Sequence, residues 1–206
     1  MIDTGKNGEF RYEQSNILDQ DGAEPGITPS QTVGPYVHIG LTLEGAENLV
    51  DAGAEGAVEL VLSVVDGSGE PIADAMFEIW QSNPDGIHNS DLDPRRTSPA
   101  TVDGFRGLGR AMADATGTAT FTTLTPGAFD DEAPHFKISV FARGMLERLY
   151  TRAYLPEADL SGDPVLAAVP EQRRELLIAT RTEKGYRLDI TVQSSTPDKE
   201  TPFFAL

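Results

Sequence analysis

Apolar and polar residues alternate along the segment Ala133–Gly144, with the period of a β-strand that has two different faces. The apolar face carries Phe136, Ile138 and Val140. On the opposite face His135 and Lys137 point the same way, because side chains two positions apart share a face. Pro134 precedes the first of these residues, and Gly144 lets the chain turn after Arg143. The pattern predicts a strand that packs on a core through one face and carries chemical groups on the other.

Five further segments have the composition or the alternation of strands. They are Val58–Asp66, Ala75–Gln81, Thr118–Leu124, Leu149–Leu155 and Tyr186–Val192. The turn residues between the first two segments predict a β-hairpin. Pro170–Glu183 has helical spacing of its apolar residues, with proline in the first turn, and predicts one late helix. Short strands, turns and a single helix favour a mainly β fold: an antiparallel β-sandwich with one late helix and long loops.

The chain divides by composition into an arm and a domain. Residues 1–27 are polar and acidic, which predicts an extended N-terminal arm, and residues 28–206 form the β-sandwich domain. The domain starts with a proline-braced segment, Thr28–Tyr36, which predicts a stiff extended loop rather than a helix. Its hydroxyl groups fit a ligand-facing wall, and an ordinary loop before a strand is the alternative. A second long loop, without regular period, covers residues 83–109.

Composition excludes several classes of function. Thirty-three acidic residues against sixteen lysines and arginines give a net charge of −17, which disfavours nucleic-acid and membrane partners. The chain has no cysteine, so thiolate nucleophiles, disulfides and cysteine-ligated metals are excluded. No apolar run could span a bilayer and no signal pattern is present, so we expect a cytoplasmic protein.

The predicted strand at 133–144 has the form of a metal-binding strand that lacks half of its ligands. Two histidines at the spacing of His135 and Lys137 could hold one metal ion, but a protonated lysine has no lone pair and repels a cation. For His135, a half-buried strand histidine with a hydrogen-bonded ring is the favoured interpretation over metal binding.

Five segments, in order, resemble the intradiol aromatic-ring dioxygenases. They are TPSQTVGPYVHIGL (28–41), FEIWQSNPDG (77–86), TLTPG (123–127), PHFKISVFARG (134–144) and YRLDI (186–190). The first and fourth segments are similar to the α chains of family members that are built from α and β chains.

The resemblance implies a degenerate iron site. Catalytic members hold ferric iron with two tyrosinates and two histidines, and the four positions correspond here to His88, Phe129, His135 and Lys137. Only His135 matches the family in type, since Phe129 lacks the phenol oxygen and Lys137 lacks the imidazole. We therefore expect no metal and no catalytic residue in this chain alone, and ferric iron in a homologous β partner.

The resemblance also implies a substrate wall and larger assemblies of αβ units. The wall positions are Thr32, Gly34, Pro35, Tyr36 and Arg143. The implied substrate is the small aromatic acid 3,4-dihydroxybenzoate, whose carboxylate a guanidinium can neutralise. Arg143, Arg148 and Arg152 with Lys137 form a positive island in an acidic chain. A salt bridge at the strand end is the alternative role of Arg143. Two other functions remain open: a self-sufficient homo-oligomeric dioxygenase, and a non-enzymatic β-sandwich binding module.

Overall fold

The computed structural model describes residues 31–32, 34–90 and 104–205. Within them, eight strands form two four-stranded sheets. The strands are β1 (Ala57–Val65), β2 (Met76–Trp80), β3 (Leu108–Met112), β4 (Thr118–Leu124), β5 (His135–Phe141), β6 (Leu149–Tyr154), β7 (Thr180–Arg181) and β8 (Gly185–Thr191). The first sheet has the order β4-β1-β8-β7, and the second has the order β3-β2-β5-β6.

The core lies between the two sheets. Alternate residues of β1 (Leu60, Leu62) pack in the same buried cluster as alternate residues of β5 (Phe136, Ile138). Burying such side chains contributes about 1.5–3 kcal/mol each, so this double layer is the main source of stability. The mainly β sandwich predicted from the alternation is confirmed, with one refinement. β1 and β8 run parallel, so the first sheet is mixed, whereas every pairing in the second sheet is antiparallel.

The hairpin predicted between the first two strands is wrong. β1 and β2 lie in different sheets, and both edges of β1 are occupied, by β4 and by β8. Between them the chain makes only an isolated bridge, Val65 with Pro71, before it crosses to the second sheet. Turn residues indicate that the chain reverses, but they do not indicate which sheet the next strand joins.

The late helix predicted over Pro170–Glu183 is present but shorter than predicted. A 3₁₀-helix covers Glu171–Leu177, and the following residues are extended: Ile178 bridges Tyr154 of β6, and the Ala179 N–H donates to the Tyr154 carbonyl at 2.9 Å. Pairing with β6 therefore replaces the last helical turns. The described helices with α geometry are instead α1 (Tyr36–Gly40) and α2 (Pro164–Ala168), and a second 3₁₀-helix covers Pro197–Lys199.

The two long loops are described in part. The arm at 1–27, the start of the proline-braced segment (28–30) and residue 33 lie outside the described residues, as do residues 91–103. The proline-braced segment ends differently from its prediction. Pro35 has right-handed helical backbone angles and leads directly into α1. The end of the second loop was also predicted wrongly, because Leu108 already belongs to β3.

No helix in the described part of the chain has the length and apolar character needed to cross a membrane.

Candidate functional site

Strand β5 places the polar residues on one face, as its alternation predicted. Phe136, Ile138 and Val140 are fully buried in the core between the sheets. His135 and Lys137 lie on the other face, where His135 is buried and Lys137 is half-buried. Trp80 of β2 and Arg152 of β6 are the register partners of Lys137, so the strand pairing itself surrounds the lysine with a ring and a guanidinium.

Three of the four positions compared with the iron ligands meet directly. The rings of His88 and Phe129 lie 4.6 Å apart between centroids, and the Lys137 ammonium lies 5.4 Å from the centroid of Phe129. Trp80 donates its indole N–H to Nδ1 of His88 at 2.8 Å, so the neutral imidazole carries its proton on Nε2. An isolated bridge between Ser82 and His88 holds the imidazole close to the end of β2.

The fourth position, His135, belongs to a buried polar network. Its Nδ1 donates to the Ala133 carbonyl at 2.7 Å, which leaves the lone pair on Nε2 facing Oε2 of Glu132 at 3.6 Å. Burial, then the positive charges of Arg152 and Lys137, lower the pKa of His135 to about 4. The imidazole is therefore neutral at pH 7.

Glu132 and Arg152 are the main charged residues of this network, and sequence reasoning did not single out Glu132. Nη2 of Arg152 donates to Oε1 of Glu132 at 2.9 Å, and both side chains are largely buried. The Tyr154 hydroxyl donates to Asp163 at 2.9 Å. Asp163 also caps α2 by accepting the Leu166 N–H at 2.7 Å. The ionisable residues Glu132, His135 and Lys137 lie close together in the sequence and could have indicated this network. The participation of Arg152 could not be predicted in this way, because it depends on the register of β6.

The charged network also affects Lys137. Burial lowers the pKa of its ammonium, the carboxylate of Glu132 opposes this effect and Arg152 adds to it. No carboxylate of the described residues lies within salt-bridge distance of Lys137. We therefore find a cation that is held beside a phenyl ring instead of being paired with an acid.

The predicted substrate wall lies at an exposed edge. The Gly144 N–H donates to Oγ1 of Thr32 at 3.1 Å, which joins the proline-braced segment to the turn after β5. Arg143 is 75% exposed and pairs with Asp74, so the salt bridge considered as an alternative does form. Tyr36 is exposed. The structure thus brings Thr32 to the turn that carries Arg143, without a contact that ties the wall residues Gly34, Pro35 or Tyr36 to that guanidinium.

The positive island predicted around Lys137 is divided between three environments. Arg152 is buried with Glu132, Arg143 is at the exposed edge with Asp74, and Arg148 is exposed. Trp80 is 44% exposed and contacts His88, so it is not a core residue. Gln81 is buried, and its side-chain oxygen accepts from the Thr123 hydroxyl, so it has a packing role.

A family model described as a dioxygenase matches residues 33–192. The chain belongs to the intradiol ring-cleaving dioxygenase family. Within this family it is 38% identical over 201 residues to the protocatechuate 3,4-dioxygenase alpha chain of Pseudomonas putida, with 86% of this chain and 95% of that relative covered. It is 36% identical over 197 residues to the alpha chain of Burkholderia cepacia, at coverages of 86% and 96%.

A beta chain is also a relative. The protocatechuate 3,4-dioxygenase beta chain of Burkholderia cepacia is 33% identical over 144 residues, which cover 61% of this chain and 57% of the relative. Among solved structures, an intradiol ring-cleavage dioxygenase from Tetranychus urticae matches with a TM-score of 0.56 at 18% identity, covering 71% of this chain and 84% of that chain. The likeness to the solved structure shows the shared fold.

Members of this dioxygenase family use iron, and the side chains at the four positions do not fit that metal. Phe129 offers a hydrocarbon ring and Lys137 an ammonium, and neither has a donor for ferric iron. His135 uses Nδ1 within the protein, and the charge of Arg152 adds to that of Lys137 beside it. Among the described residues, no group of three or more histidines and carboxylates is placed to hold a metal ion.

Proposed function

We propose that this chain is the α subunit of a protocatechuate 3,4-dioxygenase. The observation that carries the proposal is the chemistry of the four ligand positions, where a phenyl ring and an ammonium stand in a fold that otherwise belongs to iron enzymes. The relatives that this chain nearly spans are α chains of that enzyme, which agrees with a member of the family that does not hold its own iron.

The proposed partner is a homologous β subunit that carries ferric iron. The identity of 33% to a β chain supports a common ancestor of the two kinds of subunit. Two homologous sandwiches can associate through equivalent surfaces, so that one of two related sites keeps its metal and the other becomes structural. Larger assemblies of several αβ units are part of the same proposal.

The proposed task of this chain is to complete the substrate pocket. Arg143 is available for a ligand because its guanidinium is mostly exposed and its single ion pair, with Asp74, is weak in water. Thr32 fixes the proline-braced segment next to Arg143 through Gly144. We propose that Arg143 neutralises the carboxylate of 3,4-dihydroxybenzoate and that Thr32, Gly34, Pro35 and Tyr36 line the adjacent wall.

The proposed reaction of the αβ enzyme is intradiol ring cleavage. The bond between the two hydroxyl-bearing carbons is broken, each of these carbons gains one atom of dioxygen and becomes a carboxyl group, and the product is 3-carboxy-cis,cis-muconate in the β-ketoadipate route of aromatic catabolism. The iron, when bound in the partner, supplies the activation of the substrate. A cytoplasmic location stays a prediction.

Co-expression with a candidate β chain tests the proposal. The chain purified alone should contain no stoichiometric iron and show no activity, and the αβ complex should contain iron and cleave 3,4-dihydroxybenzoate. Stoichiometric ferric iron with a tyrosinate-to-iron visible band in the chain alone would favour the self-sufficient homo-oligomeric enzyme. Failure to form any complex would favour a non-enzymatic binding module.

A further inference from the structure

An exposed apolar patch lies beside the degenerate metal positions. It consists of Trp80 of β2 and Leu108 of β3, which are cross-strand partners and therefore lie side by side on the outer face of the second sheet. The two residues are 44% and 49% exposed. Other residues of the same face, such as Met76 and Arg152, are buried. The Trp80–Leu108 patch is therefore an open part of a face that is covered elsewhere.

The exposed side-chain surface of Trp80 is apolar and held in place. The indole N–H, the only polar group of this side chain, donates to Nδ1 of His88 at 2.8 Å. The two rings also meet edge to face, with centroids 5.9 Å apart, and this contact holds the indole. A side chain that is already ordered loses little entropy on binding, and tryptophan is enriched among the residues that dominate the affinity of protein interfaces. Trp80 has the properties of an interface anchor.

The position of the patch identifies the partner, in an argument that rests on the function proposed above. In that proposal, the substrate wall of this chain lies at the iron site of a homologous β subunit. Two homologous chains that pair about a near two-fold axis make each contact twice, once in each direction. The site of this chain that corresponds to the partner's iron site is formed by His88, Phe129 and Lys137, directly beside Trp80. The symmetry therefore brings the partner's equivalent of the wall segment to the patch.

The composition of the wall segment fits an apolar patch. Residues 28–43 of this chain contain no aspartate, glutamate, lysine or arginine, although 24% of the chain is charged. Tyr36 and Ile39, in α1 of the same segment, are both largely exposed. The buried centres of protein interfaces are depleted of charge in the same way. We propose that the Trp80–Leu108 patch binds the β subunit's equivalent of this segment, so that the partner covers the degenerate site of this chain.

Trp80 is itself the probe for this interface, because it is the only tryptophan of the chain. The full chain is labelled with 5-hydroxytryptophan, which can be excited without exciting the tryptophans of the partner, and is mixed with an unlabelled candidate β chain. We expect quenching of its fluorescence by acrylamide to fall several-fold in the complex, because the partner excludes the quencher from the indole. A complex in which quenching is unchanged would overturn this inference and leave the proposed function standing.

Variants of the patch test the same interface through affinity. Leu108→Glu places a charge in the patch and should weaken β binding about ten-fold or more. Leu108→Ala should weaken it several-fold, and this variant decides the matter if the glutamate variant does not fold. Thr120→Glu is the matched control, since Thr120 is exposed on the outer face of the other sheet, and it should bind the partner like the wild type. Wild-type affinity in both Leu108 variants would overturn the inference.

The labelled chain by itself tests the other possible occupants of the patch. A fall in quenching as the chain is concentrated alone would assign the patch to a second copy, and a fall on addition of 3,4-dihydroxybenzoate alone would assign it to a small ligand. Either result would overturn the inference. Absence of any complex with the β chain would overturn the proposed function, and with it this inference, before the quenching is measured.

Discussion

The two ends of strand β5 carry two very different sets of charged residues. At its start, His135 is buried beside Glu132 and Arg152, whose ion pair is largely shielded from water. Just beyond its end, Arg143 is 75% exposed and pairs with Asp74 on the surface. The same strand therefore holds a closed polar network at one end and an open cation at the other.

The difference separates a structural role from a binding role. Charges inside a protein are retained only when they are compensated, and the Glu132–Arg152 ion pair compensates the two charges at the start of β5. Oε2 of Glu132, Nε2 of His135 and Nε of Arg152 are nevertheless buried without a hydrogen-bond partner among the described residues. An exposed cation with one weak partner can exchange that partner for a ligand at little cost. This contrast supports a structural role for the Glu132–Arg152 network and is compatible with the proposed role of Arg143 in ligand recognition.

The largest expected effect is the loss of the buried ion pair. Arg152→Met should lower the free energy of unfolding by about 3–5 kcal/mol, because it leaves the Glu132 carboxylate buried without its cation. Urea unfolding followed by circular dichroism measures it. Lys184→Met is the matched control, since it removes an exposed pair with Glu59, and it should cost less than about 1 kcal/mol. Equal losses in the two variants would contradict the structural role of the network.

The second prediction concerns the loss of folding stability at acidic pH. The folded-state pKa of His135, about 4, lies below the unfolded value near 6.5, so the unfolded chain binds the proton first. The contribution of a neutral His135 is fully present above about pH 6.5 and is lost as the pH falls towards 4. Glu132 favours the charged imidazole, whereas burial, Arg152 and Lys137 disfavour it.

Urea midpoints measured between pH 4 and 7 test this effect of acid. His135→Asn, whose amide can still donate to the Ala133 carbonyl, should show a shallower fall with acid than the wild type. Parallel curves for the two proteins would show that another group causes the acid sensitivity.

The third prediction concerns Arg143, the exposed cation just beyond the end of β5. In the assembled enzyme, Arg143→Ala should raise the KM for 3,4-dihydroxybenzoate by a factor equivalent to about 1–3 kcal/mol, and change the KM for catechol little. Steady-state oxygen uptake with both substrates measures the split. Arg181→Ala, which removes another exposed ion pair, should change neither value. The same rise for both substrates would give Arg143 a structural role only.

The smallest effect is expected at Thr32. Thr32→Val removes the acceptor of the Gly144 N–H and should cost about 0.5–1.5 kcal/mol of stability or less, because the bond is exposed. Its effect on KM should be smaller than that of Arg143→Ala and again larger for the substrate with a carboxylate. Thr32→Ser keeps the hydroxyl and should behave as the wild type. An identical defect in the serine variant would show that the hydrogen bond is not the cause.

Strands were predicted better than their connections. The bounds of Thr118–Leu124 were predicted as the structure has them, and those of β1, β2, β6 and β8 to within one residue, because alternation reports which face is buried. Strand β5 is shorter than the segment 133–144 in which it was predicted. The hairpin was wrong and the late helix is shorter than predicted, because in both places a long-range pairing prevailed over local preference. Segment β3 was not recognised, since Gly109 and Arg110 give it no clear alternation.

The resemblance to the dioxygenases led us to expect that His88, Phe129 and Lys137 lie close together, and the three side chains do so. Their correspondence to the iron ligands of the family stays a prediction. The contacts of Trp80 with His88 and of Glu132 with Arg152 were not predicted. They join residues on different strands or loops, and only the register of the second sheet brings them together.

The sequence alone determined that this chain is an acidic β protein and that two of its side chains at the ligand positions cannot bind ferric iron, because residue type decides charge and donor atoms. The tertiary structure decided which cationic side chains are buried and which are exposed to solvent. Burial depends on strand register and on the crossing of the chain between sheets, and these follow from contacts between residues that are distant in sequence.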